Sequence, residues 1–136
     1  MRNIDKIIVH CSATPRGREV TVGEIDSWHR DRGFRQIGYH YVVYLDGSVH
    51  PGRPEEMAGA HCLGQNSGSI GVCYVGGVEA DGKTPADTRT YAQRDSLRTL
   101  LRSLRKRYPR ARIFGHRDFA PKACPSFDAT AEYGGI

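Results

Sequence analysis

Three side chains of the kind that bind transition metals stand out: His10, His116 and, eight positions further on, Cys124. Two imidazoles and a thiolate form a three-ligand zinc set whose fourth tetrahedral position stays open for water, the arrangement of catalytic rather than structural zinc. Spacing alone does not separate this set from ordinary histidines and thiols. What favours it is placement: His10 and His116 each follow a short strand-like run, and the ends of neighbouring strands converge in space from distant parts of a chain. The four cysteines, Cys11, Cys62, Cys73 and Cys124, show no CxxC spacing, so free thiols are expected, with Cys124 kept for a ligand role.

The elements that must carry these residues can be traced along the chain. Residues 6–9 are a β-branched run that delivers His10 to a turn-rich stretch. Thr21-Val22-Gly23-Glu24 matches a capping box and predicts a helix to about Arg32, with Ile25 and Trp28 on one face and Gly33 as the stop. Residues 39–45 read as a strand, and Asp46-Gly47 as the turn of a hairpin. On that reading His40 points to the sheet face opposite Tyr39. Residues 51–67 are expected as an irregular surface loop, 69–75 as a central strand and 76–87 as a polar connection. A second capping box at Thr90-Tyr91-Ala92-Gln93 opens the longest helix, with Leu97, Leu100, Leu101 and Leu104 at helical spacing and Pro109 closing it. Arg112-Ile113-Phe114 is a short strand leading to His116, and 115–125 a proline-stiffened loop. The fold class is therefore α/β: one domain, a central mixed β-sheet flanked by helices.

The chain has 136 residues, enough to build a core without a disulfide or metal, so a metal here is free to serve chemistry. No apolar run approaches the roughly 20 residues that span a bilayer. The formal net charge of +5 favours anionic partners without choosing among them. Arg94, Arg98, Arg102 and Arg105 form a basic stripe on the long helix, read first as a solvated face and second as attraction to anionic wall polymer. No aromatic residues interleave with these arginines to stack bases, which leaves nucleic acid a distant third.

Read in order, His10-Cys11-Ser12-Ala13-Thr14, Gly38-Tyr39-His40, Asp46-Gly47, Gly59-Ala60-His61, Asn66 with Ser69-Ile70-Gly71-Val72, and His116-Arg117-Asp118 through the run 120–128 resemble the zinc-dependent N-acetylmuramoyl-L-alanine amidases. That group contains phage lysozymes (endolysins) and peptidoglycan recognition proteins. The resemblance runs from His10 to Asp128, and its most specific block is Ala120-Pro121-Lys122-Ala123-Cys124-Pro125-Ser126-Phe127-Asp128. It implies a peptidoglycan-recognition/amidase-like fold and a Zn2+ held by His10, His116 and Cys124. Tyr39 and Lys122 are the implied catalytic side chains, and His61 and Asn66 line the substrate groove. The bond cut would join the lactyl group of N-acetylmuramic acid to the first L-alanine of the peptidoglycan stem. Lys122 would place a cation near the developing oxyanion, and the Tyr39 hydroxyl would donate to it or relay a proton to the leaving amine. His29 and His50 match no ligand position; Cys11 is expected to point away from the metal, and Cys62 and Cys73 to be small buried or half-buried thiols.

Two other classes compete. A non-catalytic peptidoglycan-recognition module would bind in the same groove without metal, and Cys124 argues against it because such a module has no use for a thiolate there. A basic nucleic-acid-binding domain with an incidental zinc would show steeply salt-dependent binding. The expected organisation is one amidase domain over residues 1–136 without an appended wall-binding module. With no secretory signal visible, the enzyme is expected in the cytoplasm after synthesis, reaching the wall after release through another system.

Overall fold

The computed structural model describes residues 2–136. In chain order its elements are β1 (Lys6–Cys11), β2 (Thr14–Pro15), α1 (Val22–Asp31), β3 (Tyr41–Val43), β4 (Val49–Pro51), β5 (Ser69–Tyr74), β6 (Gly77–Val78), α2 (Tyr91–Arg107), β7 (Arg112–Gly115) and α3 (Ala129–Tyr133), with 3-10 turns at Asn66–Gly68 and His116–Asp118. The run that opens the chain lacks polar alternation because β1 is covered on both faces: Ile7, Ile8 and Val9 are fully buried. It lies between β5 and β7, parallel to both. Strand β3 extends the sheet in parallel beyond β5, and β4 closes that edge antiparallel, giving the order β4-β3-β5-β1-β7. The sheet is mixed, as expected, and the Asp46-Gly47 turn makes it so. Gly47 has φ +86°, and a Cβ there would stand 2.8 Å from the Ala92 carbonyl oxygen, so the turn needs glycine on both counts.

Helices cover the two faces. On one, Leu97, Leu101 and Leu104 of α2 pack with Ile7, Val9, Ile70 and Val72; on the other, Ile25 of α1 packs with Val42, Cys73 and Val75. Both predicted capping boxes form, and Gln93 of the second does more than cap. Its side-chain oxygen accepts from Thr90 N–H at 2.9 Å while its nitrogen donates to the carbonyls of Val43 and Val75, bridging the buried ends of two neighbouring strands. The arginine stripe is largely engaged locally. Arg94 pairs with Asp87, Arg98 lies 5.6 Å from the Tyr133 ring centre, and Arg105 donates to the Ile136 carbonyl.

Two sequence expectations are corrected. The stretch 76–87 is not simply a polar connection: Gly77 and Val78 form the buried strand β6 beside β2, and a Cβ at Gly77 would stand 2.4 Å from the Cys11 sulfur. His40 keeps the alternation of β3, its N–H donating to the Gly71 carbonyl, but Tyr39 before it does not, so both lie on the same side. Beyond Asp128 the chain forms α3, capped by the Asp128 side chain on Ala131 N–H and anchored by buried Ala129 and Tyr133.

Candidate functional site

The sheet register brings the two histidines together. Gly115 sits opposite Val9, so the next step along each strand sets His116 beside His10, with ring centres 4.6 Å apart at the carboxyl ends of β7 and β1. Alternation along β1 sends Ile7, Val9 and Cys11 toward α2 and leaves His10 on the α1 face. Cys124 arrives from the loop after His116, which is tied down at several points. Arg117 N–H donates to the Cys124 carbonyl at 2.8 Å, and the buried Tyr74 hydroxyl donates to the Pro125 carbonyl at 2.6 Å. The ligand atoms of His10, His116 and Cys124 all lie within 4.8 Å of one another. Cys11 is not among them, yet it is not remote: its backbone N–H donates to the Cys124 sulfur at 3.2 Å. That contact escaped the sequence reading because it depends on the amide and not the side chain.

The electrostatics suit a cation. Burial holds the His10 imidazole well below its usual range, with the neighbouring His61, His116 and Lys122 charges adding to the effect. Burial and Lys122 lower His116 as well, so both rings present lone pairs at neutral pH. The Cys11 thiol and burial push the Cys124 thiol up, so a thiolate here needs a positive partner. All four cysteines are free.

Beside these three side chains opens a groove of roughly 720 Å³, lined among others by Tyr39, His61, Asn66, Phe119, Lys122 and Arg32. Among the described residues no carboxylate lines it. The Tyr39 ring lies 5.1 Å from that of His10. Burial raises the Tyr39 phenol well above its usual range, so it remains a hydrogen-bond donor. Its placement comes from α1, a connection the sequence did not reveal. Asp26 accepts from Ile37 N–H at 2.7 Å, and His29, matched to no role beforehand, accepts from Gly38 N–H at 2.8 Å through Nδ1 while its ring lies against Tyr39. Gly38 has to be glycine, since a Cβ would stand 2.0 Å from the Ala60 carbonyl oxygen. Lys122 is exposed on the groove wall without an ion-pair partner among the described residues. His61 and Asn66 both reach the groove, but His61 Nδ1 lies 2.8 Å from His10 Nε2, and Asn66 Oδ1 accepts from the N–H groups of His61 and Cys62.

Buried neutral histidines make stability depend on pH. Burial is the first cause of the lowered values at His29, His40 and His61, the last brought down to about 3. The unfolded chain therefore binds more protons than the folded one below the ordinary histidine value of about 6.5. Stability of the metal-free protein should be fully present above that value and fall as the pH drops toward the folded values. Urea unfolding at a series of pH values checks this; a midpoint that is flat between pH 7 and 4 would contradict it.

Two imidazoles at the carboxyl ends of parallel strands and a thiol from the following loop, open to a groove, give an α/β protein with three side chains grouped as a metal could use them. The sequence profile described as N-acetylmuramoyl-L-alanine amidase matches residues 1–127. The chain belongs to that family. It is 48% identical over 124 residues to the endolysin of Escherichia phage T7, covering 91% of this chain and 82% of that one. It is 47% identical over 123 residues to the endolysin of Klebsiella phage KP32, covering 90% and 81%. Among solved structures, the N-acetylmuramoyl-L-alanine amidase LysC from Clostridium intestinale superposes with a TM-score of 0.83 at 29% identity, covering 96% of this chain and 82% of that chain.

Proposed function

We propose that residues 1–136 form one zinc amidase domain that hydrolyses the amide joining the lactyl group of N-acetylmuramic acid to L-alanine in peptidoglycan. The observation that carries the reading is the meeting of His10, His116 and Cys124 beneath a groove that also presents Tyr39 and Lys122. Zinc fits this donor set: two neutral imidazoles, and a thiol that needs a cation to ionise, in a site that leaves a side open. When bound, it would supply a water acidic enough to lose its proton near pH 7 and a Lewis acid for the carbonyl.

The protein's own groups do the rest. Tyr39, kept protonated by burial and aimed by His29 and Gly38, donates a hydrogen bond to the carbonyl oxygen as it gains charge. Lys122, also on the groove lining, brings a positive charge toward the oxyanion and can hand a proton to the departing alanine nitrogen. With no carboxylate among the described residues that line the groove, no side-chain base of that kind competes for the role. No helix among the described residues is long and apolar enough to cross a membrane. We place the site of action at the cell wall, reached from the cytoplasm after release through another system.

Tyr39→Phe tests the assignment. It removes one hydroxyl from a ring still held by packing, so zinc content should be unchanged while kcat on peptidoglycan falls at least about a hundredfold. Zinc stoichiometry with release of labelled peptide checks both halves; full activity in this variant would remove Tyr39 from the mechanism.

A further inference from the structure

We propose that His61 is a positioning residue for the metal centre, orienting His10 through a hydrogen-bonded chain that runs from His10 to His61 to Ser69. The proposal rests on the reading of His10, His116 and Cys124 as zinc ligands. His10 turns Nδ1 toward the Cys124 sulfur, 3.9 Å away, and Nε2 toward His61 Nδ1 at 2.8 Å. A nitrogen that gives its lone pair to a cation carries no proton, so His10 must be protonated on Nε2 and donate to His61 Nδ1. The His61 proton is then on Nε2, which lies 3.2 Å from the fully buried Ser69 hydroxyl. One direction of donation satisfies the whole chain, and it selects the His10 tautomer that leaves Nδ1 free for the metal.

The surroundings are shaped to hold this ring. A Cβ at Gly71 would stand 2.7 Å from the His61 ring, and one at Gly59 2.6 Å from it, so two glycines on separate segments make the space. The backbone of the His61 loop is held by Asn66, whose Oδ1 accepts from the N–H groups of His61 and Cys62 at 2.9 Å each. The rings of His10 and His61 meet edge to face at 89°, with centres 4.8 Å apart. Both His61 nitrogens are thus engaged inside the protein, although the ring borders the groove. Substrate contact from this loop falls to Asn66, whose Nδ2 makes no hydrogen bond among the described residues. A metal-bound histidine whose other nitrogen is fixed by an outer partner has a set orientation and higher basicity, and loss of such partners typically weakens metal binding about 10–100-fold.

The test compares wild type with His61→Leu, His61→Asn and His61→Gln. Zinc affinity is measured by chelator competition, and ligand geometry by the visible absorption of the cobalt(II)-loaded protein. Asn places an amide oxygen where Nδ1 stood and keeps the acceptor for His10; Gln reaches the Nε2 position and serves Ser69 instead. The expected order is wild type close to Asn, with Leu and Gln weaker by roughly 10–100-fold and with an altered cobalt spectrum. The zinc-free proteins should pellet with peptidoglycan equally well. Equal zinc affinity in all four overturns the proposal, as does an Asn variant as weak as Gln, which would make the effect one of packing. Should Leu fail to fold, the Asn and Gln pair decides alone. A wild type that takes up no zinc would instead overturn the ligand reading itself.

Discussion

Cys124→Ser should abolish both stoichiometric zinc and amide hydrolysis while leaving the fold intact. Serine is nearly isosteric and can still accept the Cys11 N–H, and the Arg117 and Tyr74 contacts that hold this loop use backbone carbonyls. What serine cannot do is ionise as a thiol does beside a metal, and soft thiolate is the donor that suits zinc in this set. Loss of a metal that contributes several kcal/mol to the transition state corresponds to a fall of roughly 10³-fold or more in kcat/KM. Metal analysis of the dialysed variant, circular dichroism and labelled-peptide release check the three parts. A serine variant that keeps one zinc per chain and near-normal activity would contradict the ligand assignment.

The second large effect is on stability and lies away from the groove. Arg89 has a fully buried side chain held by Asp87 and Glu132, with its guanidinium 3.4 Å from the centre of the Phe127 ring and donating to the Tyr133 hydroxyl. It therefore fastens α3 and the segment after Cys124 to the entry of α2. Removing one member of a buried ionic cluster typically costs about 3–5 kcal/mol. Because Asp87 and Glu132 remain partly exposed and can regain water, Arg89→Leu should lie at the lower end, about 3 kcal/mol. Urea unfolding measures it, and a loss below about 1 kcal/mol would show that the stacked rings hold α3 without the charge. Zinc affinity should fall with it, since Phe127 lies three residues from Cys124.

Much of the site could be read directly. His10 and His116 were recognisable because each ends an apolar or aromatic run, and strand ends are where a parallel sheet gathers side chains. Cys124 was recognisable from the proline-rich block around it. The residues that aim these groups were not, because they act across long sequence distances. His29 reaches Gly38 from the far end of a helix, and His61 fits only because Gly59 and Gly71 lack side chains. Tyr39 and His40 share a side because Tyr39 lies two residues before β3, where strand alternation no longer holds. Strand β6 was hidden by its brevity and its glycines, and α3 by having only five residues, too few for a helical period to show. Arg89 carried no signal at all, for nothing local marks a cation whose partners include a glutamate 43 positions away.

Everything above turns on which bond the protein cuts and on whether the cut depends on the metal. The most direct measurement digests purified peptidoglycan with the protein and identifies the new termini by chemical labelling and mass spectrometry. The digest should yield free L-alanine amino groups matched by muramic lactyl carboxylates, abolished by a chelator and restored by zinc. New reducing sugar ends, amino groups from any other stem residue, or release that is indifferent to the chelator would contradict it.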